Sequence, residues 1–150
     1  MKKDIVIFDL DGTLAIIDER LKESSMKNGK INWKRFFSED LIKKDLPNYP
    51  VVETANLFHQ NGYKIYIFSG RSETTENATR KWLKDNRIQY DYLGMRKKND
   101  YRPDEIVKKD FIKKSSILDK VFLTFDDRKK VVKMWRSLGL PCFQVSEGNF

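Results

Sequence analysis

The chain has 150 residues, a length that suits one compact domain, and 39% of them are hydrophobic, which is enough to build a core. Its 30 lysines and arginines outnumber its 22 acidic residues, and the formal charge of +8 fits either a polyanionic partner or a lysine-rich surface. One cysteine excludes an intrachain disulfide, and the short apolar runs exclude a membrane-spanning helix and a signal peptide. We therefore expect a cytoplasmic protein with no membrane contact.

The first predicted element is a strand over Asp4–Phe8 that ends abruptly at Asp9. A long segment, approximately 15–49, then precedes the next regular pattern. One helical face of this segment, with Asn32 as its N-cap, is predicted to carry four apolar residues: Trp33, Phe36, Phe37 and Leu41. An insertion at the carboxyl end of a strand lies where α/β proteins bind ligands, so a small cap over the site is favoured over a packed surface helix.

Helices and strands alternate through the rest of the chain. Apolar spacing predicts helices around residues 51–58, 78–83, 106–112 and 131–138. The further predicted strands are Lys64–Ser69, Tyr90–Met95, Val121–Phe125 and Cys142–Val145. This alternation predicts an α/β fold, Rossmann-like, in which helices flank a parallel sheet of about five strands. We expect residues 1–150 to form one domain that includes the insertion.

The strongest chemical signal is the run Asp9-Leu10-Asp11-Gly12-Thr13, which follows the first strand directly. Two carboxylates two residues apart leave a strand on the same side, and Gly12 permits a sharp turn. One carboxylate of such a pair can attack phosphorus while the other protonates the leaving oxygen and then activates water. An ordinary Asx-rich turn is the alternative, but four such residues in five after an apolar strand favour the chemical interpretation.

This run resembles the first motif of the haloacid dehalogenase superfamily of phosphohydrolases. Other motifs of that superfamily are matched in order: Ser69 at the end of the second strand, Lys108 early in a helix, and Asp126-Asp127 after the fourth strand. The resemblance implies that Asp9 is the nucleophile and Asp11 the general acid and base. It also implies that Thr13, Ser69 and Lys108 hold the phosphoryl group.

A narrower resemblance is to the 3′-phosphatase domain of phage polynucleotide kinases. It rests on the segments Ser69-Gly70-Arg71, 102–109, 126–128, 131–136 and Gln144-Val145. An arginine after the first motif is matched in spacing by Arg20. The resemblance implies removal of 3′-phosphate from DNA or RNA ends, with Arg20, Gly70, Arg71 and Asp104 among the substrate-binding residues. Because the sequence has no phosphate-cradling loop of the type G-x-x-x-x-G-K-[ST], we expect no 5′-kinase activity.

The acidic residues predict a magnesium site. Asp9, Asp11, Asp126 and Asp127 offer the hard oxygen ligands that Mg²⁺ prefers, whereas no Cys/His cluster suits zinc. Lys108 adds a positive charge to this site. Asp104 lies one helical turn before Lys108, where it could orient the Lys108 ammonium group; the alternative is an ordinary surface ion pair between the two.

Two alternatives stay open at this point. A phosphatase of a small molecule, such as a nucleotide, would carry the same acidic motifs, although +8 argues mildly against it. A non-catalytic module that binds nucleic-acid ends is disfavoured, because carboxylates facing phosphates repel them unless a metal is present. The sequence does not distinguish DNA from RNA as the substrate. A separate kinase or ligase is the expected partner.

Overall fold

The structure is a computed structural model that describes residues 2–148 and 150. In this part of the chain the strands are β1 (Ile5–Phe8), β2 (Ala15–Ile16), β3 (Leu46–Pro47), β4 (Lys64–Ser72), β5 (Tyr92–Arg96), β6 (Val121–Asp126) and β7 (Cys142–Gln144). The α-helices are α1 (Asp18–Ser24), α2 (Trp33–Phe36), α3 (Glu39–Ile42), α4 (Tyr49–Gln60), α5 (Glu76–Asp85), α6 (Asp104–Ser115) and α7 (Lys129–Ser137). Among the described residues, no helix has the length and apolar character needed to cross a membrane.

Five parallel strands form the central sheet in the order β5-β4-β1-β6-β7. The middle strand, β1, pairs with β4 on one side, where Ile5 lies opposite Lys64, and with β6 on the other, where Phe8 lies opposite Phe125. This arrangement confirms the predicted α/β fold with a five-stranded parallel sheet. Because the strands are parallel, their carboxyl ends meet at one edge of the sheet.

Helices cover both faces of the sheet, which explains why β1 is apolar throughout. Val6 and Phe8 pack in a cluster with apolar residues of α4 and α5 on one face, whereas Ile5 and Ile7 pack with those of α6 and α7 on the other. Side chains alternate between the faces of a strand, so a strand covered on both sides needs an apolar residue at every position.

The insertion between β1 and α4 differs from the predicted single helix. It contains α1, two one-turn helices (α2 and α3) and the antiparallel pair β2–β3. Asn32 caps α2, as predicted, because its side chain accepts a hydrogen bond from the Arg35 amide at 3.1 Å. The helix then stops where the Ser38 hydroxyl donates to the Arg35 carbonyl at 2.6 Å, a local bond that competes with helix continuation.

The edge strands also differ from the prediction. β5 covers Tyr92–Arg96 rather than Tyr90–Met95, and β7 has only three residues. Phe143 in β7 is 58% exposed, although it lies opposite Phe125 and packs against its ring. Periodicity alone does not distinguish an edge strand from a central one, because both carry apolar residues on the face that is covered.

Candidate active site

Three carboxylates meet at the carboxyl edge of the sheet. Asp9 follows β1, Asp126 ends β6 and Asp127 comes next, and one oxygen of each lies within 4.8 Å of the others. All three residues are buried. The Asp9 amide donates to the Phe125 carbonyl at 3.0 Å, so the pairing of the two strands fixes the separation of these side chains.

The Asp127 carboxylate has no hydrogen-bond partner among the described residues, although both of its oxygens are buried. Gly12, with a φ of +86°, turns the chain beside it, and a Cβ at Gly12 would collide with this carboxylate. The glycine of the motif therefore supplies both the turn and the space for an acidic group. Burial, assisted by the adjacent Asp126, raises the pKa of Asp127 to about 7.

Lys108 on α6 is the cation at the centre of this cluster. Its Nζ lies 2.7 Å from Asp9 Oδ1, 2.9 Å from Asp126 Oδ2 and 3.4 Å from Asp104 Oδ2, and the last of these distances bears out the predicted pairing across one helical turn. Burial opposes its charge, but the three carboxylates outweigh burial and hold the pKa of Lys108 well above its usual value. Burial raises the pKa of Asp9 despite the attraction of Lys108.

Two further contacts position these groups. Gly70 lies against the Asp104 carboxylate, and a Cβ at Gly70 would meet it. The indole Nε1 of Trp135 donates to Asp126 Oδ2 at 3.1 Å. The sequence indicates only a core residue at Trp135, because apolar helical spacing carries no information about a buried N–H donor.

Asp11 lies outside the carboxylate cluster, and its side chain binds two buried arginines instead. Arg71 donates from Nη2 to Asp11 Oδ1 at 2.6 Å, and Arg20 donates to the same oxygen. Burial acts to raise the pKa of Asp11, but the two guanidinium groups outweigh it and hold this pKa well below its usual value. The structure thus directs Arg20 and Arg71, expected at the substrate, to Asp11, and it does not bring the Asp11 carboxylate to the expected metal ligands.

Asp45, which was not predicted from the sequence as a site residue, completes this network. Arg20 Nε donates to Asp45 Oδ1 at 2.9 Å, and Arg71 Nη2 donates to Asp45 Oδ2 at 3.3 Å. Its backbone carbonyl accepts from Trp82 Nε1 at 2.9 Å. Asp45 lies at the end of the insertion, where no motif spacing marks it. Charge balance is the one indication of its role, because two buried positive charges beside a single aspartate favour a second carboxylate as their partner.

The predicted hydroxyl groups lie beside these clusters. Thr13 and Ser69 are both fully buried. Thr13 Oγ1 donates to Asp9 Oδ2 at 3.4 Å, and Ser69 Oγ accepts from the Arg71 amide at 3.1 Å. Their positions next to Asp9 and Arg71 place both hydroxyls at the same edge of the sheet as the acidic residues.

The charges of the site favour a divalent cation. Within the part of the chain that the structure describes, six buried carboxylates of the site face three buried cations, which leaves a formal charge of −3. The carboxylates belong to Asp9, Asp11, Asp45, Asp104, Asp126 and Asp127, and the cations to Arg20, Arg71 and Lys108. Clustered hard oxygens, including an Asp127 carboxylate with no hydrogen-bond partner among the described residues, are the donor set that suits Mg²⁺. The residues present therefore fit this metal.

An aspartate after the central strand, a lysine beside it and an acidic pair at the end of the neighbouring strand are the arrangement of a haloacid dehalogenase-type phosphatase. Comparison with known proteins then gives the family. The family model described as the polynucleotide kinase PNKP phosphatase domain matches residues 3–150. The chain belongs to this family.

Solved structures agree with this assignment. A chain from a Pnkp1/Rnl/Hen1 RNA repair complex is 39% identical, with a TM-score of 0.79, and the match covers 97% of this chain and 43% of that one. A second Pnkp1/Rnl/Hen1 complex gives 38% identity, a TM-score of 0.79 and coverage of 99% and 48%. The chain thus spans less than half of the length of these two relatives.

A more distant match shows the fold alone. The D,D-heptose 1,7-bisphosphate phosphatase from B. bronchiseptica, solved with magnesium and phosphate, is 14% identical with a TM-score of 0.65. This match covers 99% of this chain and 83% of that one.

Proposed function

We propose that this chain is a Mg²⁺-dependent phosphatase that removes the 3′-phosphate from DNA or RNA ends. The observation that carries the proposal is the position of Asp9, beside the Lys108 ammonium and the unpartnered Asp127 carboxylate. Membership of a polynucleotide kinase phosphatase family supports a nucleic-acid end as the substrate. Asp9, Asp126 and Asp127 would hold Mg²⁺, which supplies positive charge for the phosphoryl oxygens when it is bound.

Asp9 attacks the 3′-phosphate in the first step of the proposed reaction. A bond forms between an Asp9 carboxylate oxygen and phosphorus while the bond from phosphorus to the 3′ oxygen breaks. Lys108, 2.7 Å from Asp9, offsets the negative charge that the nucleophile and the phosphoryl group share. Thr13 and Ser69 are the proposed hydroxyl partners of that group. Asp11 protonates the leaving 3′ oxygen.

Asp11 needs a proton for that step, although its two arginines favour the ionised form. A bound phosphate adds negative charge near Asp11 and raises its pKa, so substrate itself promotes protonation. After the 3′-hydroxyl leaves, Asp11 is ionised again beside Arg20 and Arg71. It then takes a proton from the water that hydrolyses the aspartyl-phosphate and releases inorganic phosphate.

The test compares phosphate release from three substrates with Mg²⁺ present. They are an oligonucleotide with a 3′-phosphate, the same oligonucleotide with a 5′-phosphate, and a nucleoside 3′-phosphate. We expect the highest kcat/KM for the 3′-phosphate oligonucleotide and a fall of at least about a thousandfold in the Asp9→Asn variant. Equal kcat/KM for the oligonucleotide and the nucleoside would favour a small-molecule phosphatase, and no hydrolysis of any substrate would favour a binding module.

We also propose that the insertion 15–49 is a cap on a one-domain enzyme. Arg20 and Asp45, from its two ends, both reach the Asp11 network, so the insertion contributes directly to the site.

The solved relatives occur in complexes with Rnl and Hen1. A separate repair enzyme, a kinase or a ligase, is therefore the proposed partner.

A further inference from the structure

Arg128 is the residue next to the acidic pair, and it has no role in the proposed reaction steps. It directly follows Asp127 and is half-buried, and it forms no ion pair with any described residue. Two other cations near the same edge are paired, Lys97 with Glu73 at 3.1 Å and Arg102 with Asp100 at 2.8 Å. Arg128 thus keeps its guanidinium donors available at the rim of a site whose buried cations are all paired.

Aromatic stacking orders the Arg128 side chain. Its guanidinium carbon lies 5.1 Å from the ring centre of Phe150, and the Phe150 ring lies 6.0 Å from that of Phe36. Arg20, which binds Asp11, lies over the Phe36 ring at 4.5 Å. Guanidinium groups and rings therefore form a continuous row of contacts from the Asp11 network to Arg128, in which the two rings are tilted by 38°. This row places Arg128 on the insertion side of the site.

The segment after β7 holds the backbone of Arg128 against the motif loop. Gln144 donates from Nε2 to the Asp127 carbonyl at 2.9 Å, and Ser146 Oγ lies 3.3 Å from the Gly12 carbonyl. Gly148 packs so closely that a Cβ there would collide with the backbone of Asp127 and Arg128. A side chain that leaves a fixed backbone and stacks on a ring loses little freedom when it binds a ligand.

We propose that Arg128 binds the phosphodiester next to the scissile 3′-phosphate and so selects polynucleotides over mononucleotides. The inference rests on the proposed function. A planar guanidinium offers paired donors that match two phosphate oxygens, and stacking leaves its edge free to donate. A nucleoside 3′-phosphate has no such phosphodiester, so it gains nothing from Arg128.

The test measures kcat/KM for a 3′-phosphate oligonucleotide and for the matching nucleoside 3′-phosphate. We expect Arg128→Ala to lower the oligonucleotide value by about tenfold, chiefly through KM, since one charge-assisted contact is lost. The nucleoside value should change little and also reports that the variant is folded. Arg128→Lys, which keeps the charge without the fork, should recover only part of the loss.

Arg87→Ala is the matched control. Arg87 is exposed, follows α5 and lies before β5, away from the carboxyl edge, and its removal makes the same change in net charge. We expect wild-type values for both substrates in this variant. Equal losses on both substrates in Arg128→Ala, or an oligonucleotide preference that survives it, would overturn the inference. If the wild type itself does not prefer the 3′-phosphate oligonucleotide, the proposed function fails instead.

Discussion

Two carboxylates share two guanidinium groups unequally in the Asp11 network. Asp11 receives the shorter contacts and has a lowered pKa, whereas burial raises the pKa of Asp45 to about 6 even beside Arg20 and Arg71. The negative charge of Asp11 adds to this rise. The pair thus keeps Asp11 ionised and makes Asp45 the group that titrates near neutral pH.

The titration of Asp45 gives a pH-dependent stability. Its pKa is about 6 in the folded state and ordinarily 3.8, so the folded state binds the proton more tightly and stability falls as pH rises from about 4 to 6. Asp45→Asn removes this loss. We expect the unfolding free energy of the variant, relative to wild type, to improve by about 1–3 kcal/mol between pH 4.5 and 7.5. Urea unfolding at both pH values measures it, and a constant difference would contradict it.

Gly12 and Gly29 allow a matched comparison. Both have a positive φ, +86° and +78°, but only a Cβ at Gly12 meets the Asp127 carboxylate, whereas one at Gly29 meets nothing within 4 Å. Gly29→Ala should cost about 1 kcal/mol of stability and leave activity intact. Gly12→Ala should cost more and reduce kcat by about a hundredfold, because it displaces an expected metal ligand. Similar activity in the two variants would show that the Asp127 position does not matter.

Candidate site residues could be predicted from the sequence where a motif fixes their spacing to a strand end. Asp9 and Asp126 were predicted in this way, because a carboxylate after a buried strand is a local feature of the sequence, and the structure brings the two side chains together. Asp45 and Arg128 were not assigned a role, because their partners depend on how the insertion and the segment after β7 pack. Arg20 was predicted to bind the substrate, but in the structure its guanidinium binds Asp11. The number of residues between Arg20 and the first motif does not determine which way its side chain points.

The first turn of α6 carries two acidic residues with different surroundings. Asp104 is buried, 3.4 Å from Lys108 and 3.5 Å from Arg96, whereas Glu105 is half-buried and makes no ion pair with a described residue. Helix periodicity therefore aims one of two neighbouring carboxylates into the site. The sequence predicted α6 and the Asp104–Lys108 pairing, since both follow from the spacing of one helical turn.

Asp104→Asn is expected to weaken the enzyme, with Glu105→Gln as its control. Removing the Asp104 charge leaves Lys108 with two partners instead of three, so stability should fall by about 1–3 kcal/mol and kcat by about tenfold. Glu105→Gln removes the same charge from the same turn and should leave both unchanged. Thermal unfolding and steady-state kinetics measure the two variants. Equal losses of stability and kcat in both would show that Asp104 acts only as a favourable charge at the start of a helix.

The insertion was the element least accessible from the sequence. Its four aromatic and apolar positions suggested one helix, yet the chain forms two single turns around Ser38. Helices this short have little intrinsic stability, so tertiary contacts such as the buried Phe36 decide where they start and stop. By contrast, the strands and longer helices of the sheet carry enough repeats of their pattern to be recognised.

For the whole molecule, the excess of buried negative charge links metal binding to stability. Mg²⁺ that binds only the folded state should raise the melting temperature, and chelation should reverse the rise. Asp127→Asn removes an unpartnered buried carboxylate, so we expect a higher melting temperature without metal and little further rise with Mg²⁺. Differential scanning calorimetry with and without chelator tests this. A full Mg²⁺ response in the variant would remove Asp127 from the expected ligands.

The central position of β1 also governs how the molecule reaches its folded state. Its neighbours, β4 and β6, come much later in the chain, and the Asp9–Lys108 contact joins residues 99 positions apart. Contacts of such long range close slowly, whereas helices form within microseconds. After dilution from denaturant, the helical circular dichroism signal should therefore recover before phosphatase activity. The proposed catalytic groups come together only when distant parts of the sheet have joined, so we expect partly folded chains to be inactive.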